Sequence, residues 1–173
     1  MRQRLVLVLW LFVLAACKKN ELNALPPATQ TGANTFGCLV NGKAWVPSGK
    51  GLFSDKPLEG GYFGQDANLW IQATSKDGSG IDLWVEKPFI KGGYELKYET
   101  GIKPTIILPY NYGYYRQPGI SYITTPQYVG RVVITRADTT MNIISGTFEF
   151  TARNAKTRQT VSVTQGRFDV GPR

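Results

Sequence analysis

Leu69-Trp70-Ile71-Gln72-Ala73-Thr74, then Ser75-Lys76-Asp77-Gly78-Ser79-Gly80, then Ile81-Asp82-Leu83-Trp84-Val85-Glu86 is the stretch that decides the fold. Both flanks alternate with a period of two, as a strand buried on one side requires. The turn between them sets the register. A two-residue Asp77-Gly78 turn pairs Ile71 with Trp84 and mixes the faces. A three-residue loop, Lys76-Asp77-Gly78, puts glycine in the left-handed position after a type I turn. It pairs Ala73 with Ile81, Ile71 with Leu83 and Leu69 with Val85, giving one wholly aliphatic face. Register follows the buried face, so the second arrangement is expected. The other face then carries Trp70 opposite Trp84 and Gln72 opposite Asp82.

The same pattern extends in both directions. Thr35–Val40 alternates, with Phe36, Cys38 and Val40 on one face. Asn41-Gly42 follows, a strong signal for a type I′ hairpin, and a two-residue loop sets Cys38 opposite Trp45. Pro47 ends the second strand or leaves it at an edge. Residues 48–64, rich in glycine, read as a long loop pinned by Phe53, Leu58, Tyr62 and Phe63, with room for one short strand. Tyr94–Glu99 alternates cleanly. Residues 101–127 break the pattern: four prolines and five tyrosines surround Ile106-Ile107-Leu108. Tyr128–Thr135, Ile143–Ala152 and Val161–Val170 read as three strands, with Phe148, Phe150 and Ala152 sharing a face. The alternation slips between Val163 and Phe168, which places a bulge at Gly166. No segment keeps a helical period over three turns. The expected class is all-β, an antiparallel β-sandwich, with a lipocalin-like barrel as the alternative.

The N-terminus carries an address. Arg2 and Arg4 precede an unbroken apolar run, Leu5–Leu14, and then Ala15, Ala16 and Cys17. That is the layout of a secretory signal peptide. The run is shorter than the roughly 20 residues a membrane helix needs. Leu14-Ala15-Ala16-Cys17 resembles a bacterial lipobox, which implies cleavage before Cys17 and fatty acid such as palmitate on its thiol and new amino group. Two or more chains make such attachment stable. The expected division is therefore a signal peptide over 1–16, a lipidated cysteine and flexible tether over 17–34, and a single β domain over 35–173. The tether expectation rests on a composition of Lys, Asn, Pro, Thr, Gln and Gly with few apolar residues.

Composition excludes several chemistries. The chain has no histidine, which removes His-based triads, His-ligated zinc and the commonest general base. With Cys17 lipidated, Cys38 has no partner for a disulfide and reads as a small buried apolar residue. Without Arg2 and Arg4, 18 basic residues face 12 acidic ones, a balance of about +6 that suits anionic surface polymers. No basic helix or interleaved Arg and aromatic run points to nucleic acid.

Further resemblance lies at the two ends. Phe36-Gly37-Cys38-Leu39-Val40-Asn41-Gly42-Lys43-Ala44-Trp45-Val46-Pro47, Ile143-Ile144-Ser145-Gly146-Thr147-Phe148-Glu149-Phe150 and Gly166-Arg167-Phe168-Asp169-Val170 resemble a family of uncharacterised Bacteroidota lipoproteins, as does Leu25-Pro26-Pro27-Ala28-Thr29-Gln30. The resemblance implies a fold and an envelope address, and brings no activity or functional residues.

Asp82 and Glu86 share a strand face at roughly 13 Å, beyond the roughly 5–9.5 Å of a glycosidase pair. Cross-sheet pairs among Asp66, Glu95, Glu99 and Glu149 stay open. Asp77-Gly78-Ser79-Gly80 offers one carboxylate, too few for calcium. No metal or cofactor is expected. Trp70 and Trp84 on a polar face could stack on sugar rings. Tyr110, Tyr112, Tyr114 and Tyr115 lie in the Tyr, Asn and Gly mixture of adaptable recognition loops. The favoured expectation is a membrane-anchored, non-catalytic binding module for a glycan or an envelope protein, on the outer membrane with its side open. The alternatives are a carboxylate-dependent envelope hydrolase and a lipocalin-like carrier of a small ligand.

Overall fold

The computed structural model describes residues 21–50, 55–63, 68–86, 91–97 and 111–172. The signal peptide, Cys17, Phe53, Asp66, Glu99, Ile106-Ile107-Leu108 and Tyr110 fall outside them.

The fold is all-β: one antiparallel sheet curled into a half-barrel. Its strands are β1 (Thr35–Val40), β2 (Lys43–Trp45), β3 (Leu58–Phe63), β4 (Asn68–Thr74), β5 (Gly80–Val85), β6 (Gly92–Leu96), β7 (Tyr112–Gln117), β8 (Ile120–Ile123), β9 (Gly130–Asp138), β10 (Ile143–Arg153) and β11 (Thr160–Val170). The main path runs β2-β1-β11-β10-β8-β7-β5-β4-β3. β10 also pairs β9 along most of its length, and β9 pairs β6, so the sheet forks at β10.

Local chemistry explains the hairpins. Asn41 and Gly42 take φ of 49° and 81°, as a type I′ turn demands. Cys38 lies opposite Trp45. Gly78 sits at φ 80° in the three-residue loop, and the register is Leu69–Val85, Ile71–Leu83 and Ala73–Ile81 as expected. Those six side chains are fully buried.

Across the concave side they meet Phe36, Phe148, Phe150 and Phe168 in one apolar cluster. Phe148 is its hub, with ring centroids 5.0 Å from Phe36, 6.4 Å from Phe150 and 6.3 Å from Phe168. The described interior is therefore filled by side chains. Trp45 packs edge-on against Phe36 and its indole N–H donates to Ser79 Oγ at 2.8 Å, which ties β2 to the β4–β5 turn.

Four features differ from the sequence reading. The tyrosine-rich segment, read as a loop, is regular over β7 and β8, because Tyr115 and Tyr122 alternate inward while Tyr114 and Arg116 face out. Residues 58–63 form a six-residue strand, more than the one short strand for which the loop reading left room. The bulge on β11 lies at Gln165, with φ 53°, one residue before Gly166. Gly166 itself faces the Phe148 ring, where an added Cβ would meet ring carbons at 2.6 Å.

The fourth concerns residues 21–34, expected as part of a flexible tether. They dock on the domain. The Glu21 carboxylate accepts from the Ala44 N–H at 2.5 Å, and Leu25 is buried. Asp169, wholly buried on β11, anchors the rest. Its carboxylate accepts from Thr29 Oγ1 (2.6 Å), the amides of Thr31 (2.9 Å), Gly32 (2.8 Å) and Ala33 (3.1 Å), and Ser145 Oγ (2.7 Å). Residues 29–33, polar and without a core of their own, are thus gathered around one carboxylate. Arg136 adds a bond to the Gln30 carbonyl at 2.6 Å.

Cys38 is fully buried, and burial pushes its thiol far up, with Arg167 opposing only in part. The thiolate is the reactive form. Cys38 is therefore expected to resist a maleimide at pH 8 in the folded chain and to label fully in denaturant. Labelling at similar rates in both states would contradict its placement.

Candidate functional site

The outward face of β3, β4, β5 and β7 gathers the residues singled out from sequence. Trp70 lies opposite Trp84, and Trp84 opposite Tyr112, forming an aromatic row across three strands. A second row runs Glu59, Gln72, Asp82, Tyr114. A third runs Thr74, Gly80, Arg116. Side chains on one face of neighbouring strands stand about 5 Å apart, so the three rows form a single patch.

The patch has a charged centre. Arg116 Nη1 bonds both Asp82 oxygens, at 3.0 and 2.8 Å, and Nη2 donates to Thr74 Oγ1 at 3.0 Å. Gly80 makes this possible: a Cβ there would sit 2.5 Å from the guanidinium carbon. Burial raises the Asp82 pKa, against the opposing pull of Arg116 and a hydrogen bond from Gln72. Burial likewise pushes the Tyr112 phenol up to about 12, helped by the Asp82 charge and by Tyr114. Asp82 is thus committed to its partners.

Exposure varies across the patch. Trp84 is 9% exposed, while Trp70, Tyr112 and Tyr114 are half-buried. Trp70 also lines a cleft of about 360 Å³ with Glu59, Lys56, Asn34 and Gly171, between β3 and the end of β11. Tyr115, grouped with the other tyrosines by sequence, points the opposite way: it is buried in the core beside Tyr122, ring centroids 5.9 Å apart. Adjacent residues on a strand take opposite faces, so no tyrosine run on β7 can act as one unit.

Among the described residues no two acidic side chains converge into a pair. Glu59 and Asp82 stand two strand spacings apart, about 10 Å between backbones, with Gln72 between them. Glu95 and Glu149 flank Arg131 in the same way beside an open cleft of about 640 Å³, and Glu95 pairs Lys97 at 3.1 Å. Among the described residues no group of three or more side chains could hold a metal ion. Sequence reasoning named Asp82 but missed Arg116 and Glu59. The signal for Arg116 was the Gly80 opposite it, which is intelligible only once β5 and β7 are known to pair.

The half-barrel, with an aromatic and ionic row on the outer face of β3, β4, β5 and β7 in which Glu59, Gln72 and Trp84 are buried, defines an all-β domain. The chain belongs to the family described as a domain of unknown function (DUF6252), which matches residues 61–172. No curated protein and no solved structure matches it.

Proposed function

We propose that this is a membrane-anchored envelope lipoprotein of the Bacteroidota type, held by lipid on Cys17, whose β domain is a non-catalytic binding module. The observation that carries the binding reading is the Trp70–Trp84–Tyr112 row beside polar Gln72, Asp82 and Tyr114, with Trp70 lining a cleft. A sugar ring needs an apolar face to lie on and hydrogen-bonding groups around its rim. Amphipathic aromatics next to a few fixed polar groups supply both. These features favour a glycan over a protein partner.

The address is supported by the apolar run and the lipobox-like Leu14-Ala15-Ala16-Cys17. No described helix is long and apolar enough to cross a membrane. The filled interior supports a surface ligand more than one carried inside. Screening on an array of bacterial and host glycans tests the proposal. A retained glycan should lose about tenfold in affinity, or 1.4 kcal/mol, on Trp70→Ala or Tyr112→Ala with the fold unchanged. A screen that retains nothing, or affinity unchanged in both variants, would count against it.

A further inference from the structure

The strand directions place several turns at one end of the half-barrel. β1, β4, β7 and β10 finish there, and β2, β5, β8 and β11 begin there. Cross-links between the turns hold this end together: the Asn41 amide donates to the Ser162 carbonyl, Asn154 Nδ2 to the Ser121 carbonyl, and Gly78 lies against Pro118. The β1–β2, β4–β5 and β10–β11 turns with their flanking residues carry five cations, Lys43, Lys76, Arg153, Lys156 and Arg158, against one carboxylate, Asp77, with Glu21 docked beside Ala44. Lys43, Lys76, Lys156 and Arg158 are exposed, and none of these four forms an ion pair among the described residues. Among the described residues the opposite end has Glu86, Asp138 and Asp169 against Lys91 and Arg136.

The N-terminal segment leads to the same end. From Asn34, at the far end of β1, the chain runs back along the outside, past the Arg167–Pro26 bond, to Glu21 at Ala44. Ala44 is two residues from the Asn41-Gly42 turn. Three residues then separate Glu21 from Cys17, a reach of at most about 14 Å over four Cα steps, and two of the three are Lys18 and Lys19. A docked segment cannot act as a long tether.

We infer that the basic end bearing Lys43, Lys156 and Arg158 lies against an anionic lipid headgroup surface, so that the domain is oriented on the membrane with its opposite end outward. The inference rests on the anchored reading of Cys17. Charge near an anionic membrane is effective only within a Debye length, about 8–10 Å. A short link to the lipid brings these side chains into that range, where a long tether would leave them mostly screened.

The test uses the chain purified from bacterial membranes and reconstituted into vesicles of phosphatidylcholine, with or without phosphatidylglycerol. Amine labelling is read residue by residue by mass spectrometry, and the same spectra report the mass on Cys17. Lys43 and Lys156 are expected to label about threefold more slowly on the anionic vesicles, with Lys91 unchanged. The double variant Lys156→Glu, Arg158→Glu should return Lys43 toward its rate on neutral vesicles. Equal labelling on both vesicle types, with lipid present on Cys17, overturns the membrane-facing surface and leaves the anchor standing. An unmodified Cys17 removes the anchor, and the inference with it.

Discussion

Asp169→Asn is expected to lower folding stability by about 3–4 kcal/mol and to loosen residues 29–33 first. The native carboxylate is wholly buried and accepts from three successive amides and two hydroxyls. Asparagine keeps the shape but has one acceptor oxygen and a donating NH₂, which faces donors. Hydrogen bonds to a charged group contribute about 1.5–3 kcal/mol each, and buried donors left without a partner cost about 1–3 kcal/mol. The total is held below the sum because the segment can move away and hydrate. Amide exchange should therefore rise at Thr31, Gly32 and Ala33 before it rises in β10 and β11. Unchanged exchange there, together with an unchanged denaturation midpoint, would refute the clasp.

Asp169 also links stability to pH. Burial acts to raise its pKa, but the hydrogen bonds from Thr29, Ser145, Ala33 and Gly32 outweigh it and hold the carboxyl at about 2. The unfolded carboxyl titrates near 3.9. A lowered native pKa means stability that is present above about pH 4 and lost as pH falls through about 2, on the order of 2 kcal/mol. The wild-type chain should lose that increment over this window, and the Asn variant should lack it.

Phe148→Ala is the second large effect, at about 3–5 kcal/mol. The ring is 3% exposed and touches Phe36, Phe150 and Phe168, side chains from β1, β10 and β11. Deletion removes both its transfer energy and three aromatic contacts of about 0.5–1.5 kcal/mol each, partly overlapping. Gly166 opposite it has no side chain with which to fill the space. For a chain of this length the loss corresponds to a melting temperature lower by roughly 10 °C. Phe148→Leu should cost much less, since it keeps most of the volume. A loss under about 1 kcal/mol for the alanine variant would show that the four rings are not the hub of the core.

The parts of the fold legible from sequence are those governed by neighbours in the chain. The Leu69–Val85 register followed from requiring one aliphatic face, and the Asn41-Gly42 hairpin from the backbone those residues accept. Strand ends were less legible. β9 runs on to Asp138, where Arg136 and Asp138 bond each other at 2.9 Å, although the two charges read as a loop. The tyrosine segment misled for a related reason. Its composition suits a loop, but β5 on one side and β8 on the other give its polar backbone a ladder.

By itself, then, the sequence determined the all-β class, the hairpin registers, the inward faces and the lack of histidine chemistry. All of these depend on residue type, on a period of two, or on turns a few residues long. Only the tertiary structure decided that β5 pairs β7, which sets Arg116 on Asp82 across 34 positions, and that Asp169 holds Thr29 across 140. Such contacts depend on the order of strands in the sheet. That order is selected by how the whole apolar surface closes, and no local pattern records it.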